Sequence, residues 1–215
     1  LIRPILIESW HMKLKLIFRR LHRTFRAALH GARRRDILRM LPKASVGAEI
    51  GVFRGNFTRQ ILYVVEPREL HLIDGWRKLY GERFPDWGRY TDYGKLTTAA
   101  ALQEVRDIVS AHGRTQRTVI HETDDIACLK TFSDGYFDWV YVDTAHDYEH
   151  NKAVLDVLNA KVKKDGVIAG HDWEEDPEEL HHGVYRAVTE FCRDCGWKVV
   201  ELDDFTQWRL VRANG

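Results

Sequence analysis

Apolar residues along the chain recur in two alternating patterns, one typical of buried strands and one typical of amphipathic helices. A strand pattern occurs five times between residues 46 and 170, and a helical pattern follows each time. The chain then ends in two strand patterns separated by a short polar turn. The predicted strands are residues 46–52, 69–74, 118–121, 137–143, 166–170, 198–202 and 207–211. The predicted helices of the same region are residues 56–65, 96–112, 126–132, 150–162 and 184–195.

Strands that alternate with helices predict a mostly parallel sheet with helices on both faces, because crossover connections are right-handed. The tight connection between the last two strands predicts one antiparallel strand at the C-terminal end. The sequence therefore indicates a Rossmann-like α/β domain with a seven-stranded sheet. Residues 137–143 are almost entirely apolar, as expected for a strand that is covered on both faces. Residues 75–95 are rich in Gly, Trp and Tyr, and we expect a long loop or lid there.

A basic arm precedes this domain. Apolar residues between positions 13 and 30 recur at helical spacing, and a second short helix is predicted over 34–41, closed by Pro42. Residues 1–35 carry ten Lys or Arg and one acid, whereas the rest of the chain carries 23 basic and 31 acidic residues. We therefore predict a helical arm over residues 1–42 and a separate α/β domain over residues 43–215.

The arm has three possible roles. We expect it to cover the active site or to build a homodimer. Binding to an anionic membrane surface is a less favoured alternative. Nucleic acid is not expected as a partner, because the rest of the chain is acidic and no recognisable nucleic-acid module follows the arm.

Composition indicates a cytoplasmic protein. No apolar run approaches the roughly 20 residues that span a bilayer, and the N-terminal residues lack the cleavage site of a signal peptide. The three cysteines are an odd number without framework spacing, which fits a reducing compartment. Cys192 and Cys195 form a CxxC near the end of a predicted helix, but no second pair of ligands completes a zinc site.

The first strand runs into a glycine-containing turn, at the edge of the sheet where open parallel sheets bind ligands. Gly51 can turn tightly there, and Gly55 allows the backbone to approach a ligand. Glu49 can attract a cationic group. The turn lacks GxGxxG, which disfavours an NAD-type oxidoreductase, and it lacks the lysine of a phosphate-binding loop. Alternatively, its glycines serve only the geometry of the turn.

Short polar residues follow the second and third strands. Asp74 lies about 20 residues after the glycine turn, where an acid binds ribose hydroxyls in dinucleotide folds. It can equally be a turn or N-cap aspartate. Thr123, Asp124 and Asp125 follow the third strand and can bond an adenine amino group, although Asp124 or Asp125 can equally cap the next helix.

The sharpest chemical signal follows the fourth and fifth strands. Adjacent strand ends can bring Asp143, His171 and Asp172 together as metal ligands. Carboxylates suit Mg²⁺, whereas the imidazole of His171 favours Mn²⁺ or another transition metal. His146 lies on the loop after Asp143, and an imidazole can accept a proton near neutral pH. Alternatively, these groups cap helices and satisfy one another without a metal.

At these residues the chain resembles class I methyltransferases that depend on S-adenosylmethionine (SAM). The resemblance extends from about Val46 to Val211 and rests on ExGxxxG at residues 49–55, on Asp74 and on the closing strand pair. The motifs VDTAHDYEH and GVIAGHDW resemble the metal-dependent sugar O-methyltransferases related to macrocin O-methyltransferase, and the similar cephalosporin-hydroxylase-like group.

This resemblance implies a SAM-dependent O-methyltransferase that acts on a sugar or glycoside with Mg²⁺. It implies Asp143 and Asp172 as metal ligands and His146 as the general base. His171 departs from the family pattern, because a histidine stands where the relatives have a carboxylate. The residues implied around SAM are Glu49, Gly51 and Gly55 at its methionine part, Asp74 at its ribose, and Thr123, Asp124 and Asp125 at its adenine.

The segment Trp76–Tyr93 is the candidate acceptor-binding region. Six aromatic residues alternate there with Arg77, Arg83 and Arg89, a composition that suits stacking on sugar rings. The aromatic residues can equally anchor a long loop or form a dimer contact. A catechol is the nearest alternative acceptor, since adjacent hydroxyls chelate Mg²⁺. The alternative from another class is a binding module that acts through the basic arm.

Overall fold

The structure is a computed structural model that describes residues 36–112, 117–203 and 206–213. The amphipathic helix predicted over residues 13–30 lies outside the described residues. Residues 36–39 are helical, within the second short helix predicted for the arm. Ile37, Leu38 and Leu41 are buried against the body of the domain.

Seven strands and six α-helices follow among the described residues. The strands are β1 Val46–Ile50, β2 Glu69–Asp74, β3 Arg117–Glu122, β4 Phe137–Val142, β5 Val162–Gly170, β6 Trp197–Leu202 and β7 Trp208–Arg212. The helices are α1 Asn56–Val64, α2 Trp76–Tyr80, α3 Thr98–His112, α4 Asp125–Lys130, α5 Tyr148–Lys161 and α6 His182–Cys195, with a 3₁₀ helix at Gly88–Thr91. Among the described residues, no helix is both long and apolar enough to cross a membrane.

The strands form one sheet in the order β3-β2-β1-β4-β5-β7-β6. All pairs from β3 to β5 are parallel, and β7 runs antiparallel to both of its neighbours. The predicted seven-stranded, mostly parallel sheet with an antiparallel C-terminal strand is therefore confirmed. The strand order reverses between β1 and β4, which is where ligands bind in open α/β sheets.

Two hydrophobic cores lie on the two faces of this sheet. Strand β4 contributes to both, since Trp139 and Tyr141 face one core while Val140 and Val142 face the other. Helices α1, α2 and α3 pack on the side of Trp139, and helices α4, α5 and α6 pack on the side of Val140. This double burial explains why the sequence of β4 is almost entirely apolar.

The segment after β2 is more ordered than expected. A continuous loop was predicted over 75–95, and this is wrong at α2 and at the 3₁₀ helix. The reason is local: the Trp76 amide donates to Asp74 Oδ1 at 2.9 Å, and its fully buried indole donates to the Phe53 carbonyl at 2.8 Å. Burial of one large aromatic ring therefore fixes the start of a helix that propensity alone does not indicate.

Strand register places three chain turns side by side. Ile50 pairs with Val142, and Val142 pairs with Gly170, so the first residues beyond these strands are neighbours. Gly51 adopts φ +82°, and a Cβ atom there would lie 1.9 Å from the Asp143 carbonyl oxygen. Only glycine fits this contact, which holds the β1–α1 turn against the exit of β4.

Replacement of Gly51 by alanine should destabilise the protein more than a side chain at positive φ does by itself, because the added Cβ also clashes with the Asp143 backbone. Gly135 is the matched control, because it also has a positive φ (+63°) but nothing lies within 4 Å of its would-be Cβ. We expect Gly135→Ala to lower the free energy of unfolding by about 1 kcal/mol, and Gly51→Ala to lower it by about 3 kcal/mol or more. Urea denaturation measures both, and equal losses would contradict the steric argument.

A histidine pair lies between β2 and β3, away from the exits of β4 and β5. His71 is 4% exposed, and its Nδ1 lies 2.9 Å from His121 Nε2 while its Nε2 lies 3.0 Å from Glu69 Oε1. Burial and the neighbouring His121 lower the pKa of His71, although Glu69 opposes this effect. Burial also lowers the pKa of His121. Both side chains therefore resist protonation in the folded state.

This pair should make the protein less stable as the pH falls below about 6.5, the ordinary pKa of histidine. Below that value the unfolded chain binds protons that the folded state excludes, so the free energy of unfolding decreases with falling pH. We expect His121→Gln to lose less stability than the wild type between pH 7 and pH 5.5, as measured by urea denaturation at each pH. An unchanged difference between the two pH values would refute this account.

Candidate active site at the ends of β4 and β5

Four residues predicted as site residues meet beyond β4 and β5. His146 Nε2 lies 2.9 Å from Asp172 Oδ2, and His171 Nδ1 lies 2.8 Å from Asp172 Oδ1. Asp143 Oδ1 lies 4.0 Å from His171 Nδ1. The structure therefore brings Asp143, His146, His171 and Asp172 into one cluster, as the order of the strands led us to expect.

Asp172 is the centre of this cluster. Asp172 is only 9% exposed. Its φ of +64° is unusual for a residue that has a side chain. Burial alone would raise the pKa of Asp172, but the hydrogen bonds with His146 and His171 outweigh burial and hold it well below its ordinary value. Backbone strain and a stabilised buried charge at one residue are frequent at functional sites.

His146 faces this carboxylate while part of its ring stays accessible. The hydrogen bond with Asp172 raises the pKa of His146, burial lowers it, and the charges of Asp172, Asp143 and Asp147 raise it further. The net pKa lies above the ordinary value for histidine, so the ring is a stronger base than free imidazole. Because one ring nitrogen is held by Asp172, the carboxylate also fixes the orientation of the ring.

A third histidine, His181, completes the cluster and was not predicted. It lies just before α6, with its Nδ1 3.2 Å from Asp172 Oδ1 and its ring centroid 4.1 Å from that of His146. In the sequence, His181 is visible only as one of two adjacent histidines near the start of a predicted helix. No spacing rule relates that position to β5. Its place depends on how α6 packs against the loop after β4.

The imidazoles and carboxylates form two groups that can hold a cation. One group is Asp143, His171 and Asp172, and the other is His146, Asp172 and His181. Within each group, the potential ligand atoms all lie within 4.8 Å of one another. Both groups mix nitrogen with oxygen donors, and they share Asp172.

The exit of β2 is bonded to the glycine turn. Asp74 Oδ2 accepts hydrogen bonds from the amides of Val52 and Phe53 at 2.9 and 2.8 Å. Burial raises the pKa of Asp74, and these backbone hydrogen bonds partly offset the rise. Its contacts are those of a turn aspartate, and a carboxylate can accept further bonds. The ribose role of Asp74 stays a prediction.

Glu49 lies beneath the glycine turn, within β1. It is 1% exposed and accepts a hydrogen bond from the Thr58 hydroxyl on α1. Gly51 and Gly55 begin and end the turn, both with positive φ, and Gly55 directly precedes α1. Glu49, which we predicted to attract a cationic group, is therefore close in sequence to the turn but buried in the sheet.

Residues at the exit of β3 connect it with β2, α4 and the loop after β4. The Thr123 amide donates to the Asp74 carbonyl at 3.0 Å, and Asp124 caps α4 by accepting from the Ala127 amide. Asp125 Oδ2 lies 2.8 Å from His150 Nε2. Burial raises the pKa of Asp125, but the bonds with His150 and Thr144 lower it overall. Helix capping by Asp124 matches the alternative that the sequence left open.

The aromatic segment after β2 divides into an anchored part and an exposed part. Trp76 and Phe84 are buried, whereas Trp87, Tyr90 and Tyr93 are 43%, 75% and 59% exposed. Phe53 of the glycine turn contacts Phe84, with ring centroids 5.0 Å apart. The segment thus packs on the glycine turn and still presents aromatic rings at the surface.

Two of its arginines bond within the segment. Arg77 forms an ion pair with Glu82 at 3.2 Å, and Arg83 donates to the Lys95 carbonyl at 3.0 Å. These contacts stabilise the shape of the segment.

Solved structures share this fold at low sequence identity. A protein from Corynebacterium glutamicum is 12% identical, with a TM-score of 0.61 over 84% of this chain and 80% of its own. An O-methyltransferase family protein from Burkholderia thailandensis is 14% identical, with a TM-score of 0.55 over 83% of this chain and 54% of its own. A SAM-dependent methyltransferase from Aquifex aeolicus is 12% identical, with a TM-score of 0.50 over 79% and 82%.

Sequence comparison identifies the family. A search of curated proteins found no match. The family model described as a methyltransferase domain matches residues 48–173, more than half of the chain. The matched region runs from β1 through the glycine turn to Asp143 and ends just beyond Asp172. This chain therefore belongs to the methyltransferase domain family.

Proposed function

We propose that the protein transfers the methyl group of SAM to a hydroxyl group of a sugar or glycoside. The observation that carries the proposal is the cluster of Asp143, His146 and Asp172 beside the glycine turn. Methyl transfer to a hydroxyl needs a group that removes its proton and groups that orient its oxygen. The cluster supplies an oriented imidazole and two carboxylates for these tasks.

The residues at the exits of β1, β2 and β3 fit SAM. Asp74 and Asp125, at the ends of β2 and β3, suit a cofactor that carries ribose hydroxyls and an adenine amino group, while Glu49 lies buried beneath the glycine turn that would hold the methionine part. When bound, SAM supplies an activated methyl group on its sulfonium, so the protein needs to position and deprotonate the acceptor. The residues that would hold it are Glu49, Gly51, Gly55, Asp74, Thr123, Asp124 and Asp125.

Asp143, His171 and Asp172 fit a divalent cation. Their ligand atoms lie within 4.8 Å of one another, and two of the three are carboxylates. Carboxylates suit Mg²⁺, while the imidazole of His171 makes Mn²⁺ an equally good fit. A cation held there would lower the pKa of an acceptor hydroxyl and help to orient it.

His146 is the proposed general base. Asp172 orients its ring and raises its pKa, which makes the ring a better proton acceptor. As the proton of the acceptor hydroxyl moves to His146, the acceptor oxygen bonds to the methyl carbon and the carbon–sulfur bond breaks. The products are a methyl ether and S-adenosylhomocysteine.

The exposed rings of Trp87, Tyr90 and Tyr93 support a sugar or glycoside as the acceptor. Aromatic faces at a surface can stack on the apolar faces of sugar rings. Their segment packs on the glycine turn through Phe53, and so borders the proposed cofactor site. A panel of glycosides and catechols in a methyl-transfer assay tests this choice, and activity on catechols alone would overturn it.

His146→Ala should separate cofactor binding from catalysis. We expect the affinity for SAM to stay within the error of calorimetry, because the proposed cofactor residues lie at β1 to β3. Turnover should fall about 10²- to 10⁴-fold, the usual contribution of a general base. His112→Ala, which alters a histidine on α3, serves as the control. Near-normal turnover in His146→Ala would remove this residue from the mechanism.

Asp143→Asn should remove the stimulation of activity by Mg²⁺ or Mn²⁺. The substitution keeps the size of the side chain but removes the charge that a divalent cation requires. EDTA treatment of the wild type should lower its activity to the level of the variant, and added Mn²⁺ should restore only the wild type. Wild-type activity that EDTA does not change would count against a metal in the reaction.

A further inference from the structure

His146, Asp172 and His181 form a compact cluster, here called the His181 cluster. The two imidazoles bond to different oxygens of one carboxylate, His146 to Oδ2 at 2.9 Å and His181 to Oδ1 at 3.2 Å. The two rings also lie against each other, with centroids 4.1 Å apart and planes inclined by 37°. Three donor atoms from three separate chain segments therefore point toward one another.

The backbone around the cluster is built to hold this arrangement. A Cβ on Gly183 would lie 2.7 Å from the His146 carbonyl oxygen and 2.6 Å from the Tyr148 amide nitrogen. The absence of a side chain at Gly183 thus lets the start of α6 press directly on the loop that carries His146. Asp172, which contacts both histidines of the cluster, has a positive φ. The proximity of His181 and His146 follows from backbone packing as well as from their side chains.

The donor set has the chemistry of a transition-metal site. Zinc binds imidazole nitrogen at about 2.0–2.1 Å and carboxylate oxygen at about 2.0–2.2 Å, so its ligand atoms lie about 3.4 Å apart in a tetrahedral site. In the cluster the two nitrogens lie 2.9 and 3.2 Å from different oxygens of Asp172, and one ligand atom from each residue lies within 4.8 Å of the others, so a metal ion could take all three after the side chains rotate. The side chains of His146 and His181 are 42% and 35% exposed, which leaves room for water as a further ligand.

We propose that the His181 cluster binds a zinc-like transition-metal ion at a second site beside the Asp143–His171–Asp172 group. The two groups share only Asp172, and a carboxylate can bridge two metal ions. Two imidazoles and one carboxylate favour Zn²⁺, Co²⁺ or Ni²⁺ over Mg²⁺, which prefers oxygen ligands. The two groups therefore differ in the ions that they favour.

Occupation of this site would remove His146 from proton transfer. A metal ion on Nε2 of His146 would leave the proton of the neutral ring on Nδ1, and Nδ1 is the nitrogen that would otherwise accept the proton of the acceptor hydroxyl. Binding of a zinc-like ion would thus block proton transfer to His146, whereas Mg²⁺ bound at the other group would not. This consequence rests on the proposed function, but the binding of the ion does not.

Zinc titration of the metal-free protein, without SAM or acceptor, tests the proposal. The full chain is treated with EDTA, desalted and titrated with Zn²⁺ in a calorimeter. His181→Phe keeps an aromatic ring against His146 but lacks the ligand nitrogen. We expect its Zn²⁺ affinity to fall about 100-fold, since even the outer partners of a metal site contribute about 10- to 100-fold. His181→Ala should give the same loss through a different side chain.

Two further variants separate this site from other zinc-binding groups. Asp143→Asn removes a donor that belongs only to the other group, and it should retain the His181-dependent binding. His112→Phe alters a histidine whose ring contacts Tyr63 and which belongs to neither group, and this variant should bind Zn²⁺ as the wild type does. Wild-type affinity in His181→Phe, or loss of binding in Asp143→Asn, would overturn the proposal.

Discussion

The in-register pairing of residues 139–142 of β4 with β1 on one side and β5 on the other is the constraint on which the site depends. Ile50, Val142 and Gly170 lie in one row across the sheet, and the Asp143 amide donates to the Ile50 carbonyl at 2.8 Å. The residue after each strand end is therefore placed beside its neighbour before any side chain contributes. A shift of β4 by one residue would exchange Trp139 and Tyr141 with the smaller Val140 and Val142 between the two cores, so the difference in side-chain size between its faces protects this register.

The buried carboxylate of Asp172 organises the titratable side chains at this edge of the sheet. Asp172 lies at the end of β5 with little access to water, and an unpaired charge there would be costly. Three imidazoles surround it, and their hydrogen bonds offset the loss of solvation. The same contacts give Asp172 two roles, since it orients His146 and also belongs to both groups of potential metal ligands. The proposed base and the two candidate metal sites are therefore coupled through one side chain.

The sequence predicted the parts of the molecule that follow from periodicity. Strand β4 was recognisable because both of its faces are buried, and Asp143, His171 and Asp172 could be brought together because they follow adjacent parallel strands. His181 could not be found in this way. Its position depends on the contact of Gly183 with the backbone of His146, a tertiary contact between distant segments that leaves no periodic signal. Helix α2 was missed for a similar reason, because burial of Trp76 determines it.

The role of an aspartate at a strand end depends on its partners as well as its position. Asp74 and Asp124 occupy positions that suit cofactor binding, yet both accept hydrogen bonds from backbone amides, Asp74 from the β1–α1 turn and from Trp76, and Asp124 from Ala127. Such bonds hold the turns in place, and a preorganised turn is what a bound cofactor requires. Structural and binding roles are thus compatible for Asp74, whose carboxylate has lone pairs for further donors. The contacts that the sequence offered as the alternative to binding would therefore also shape the proposed cofactor site.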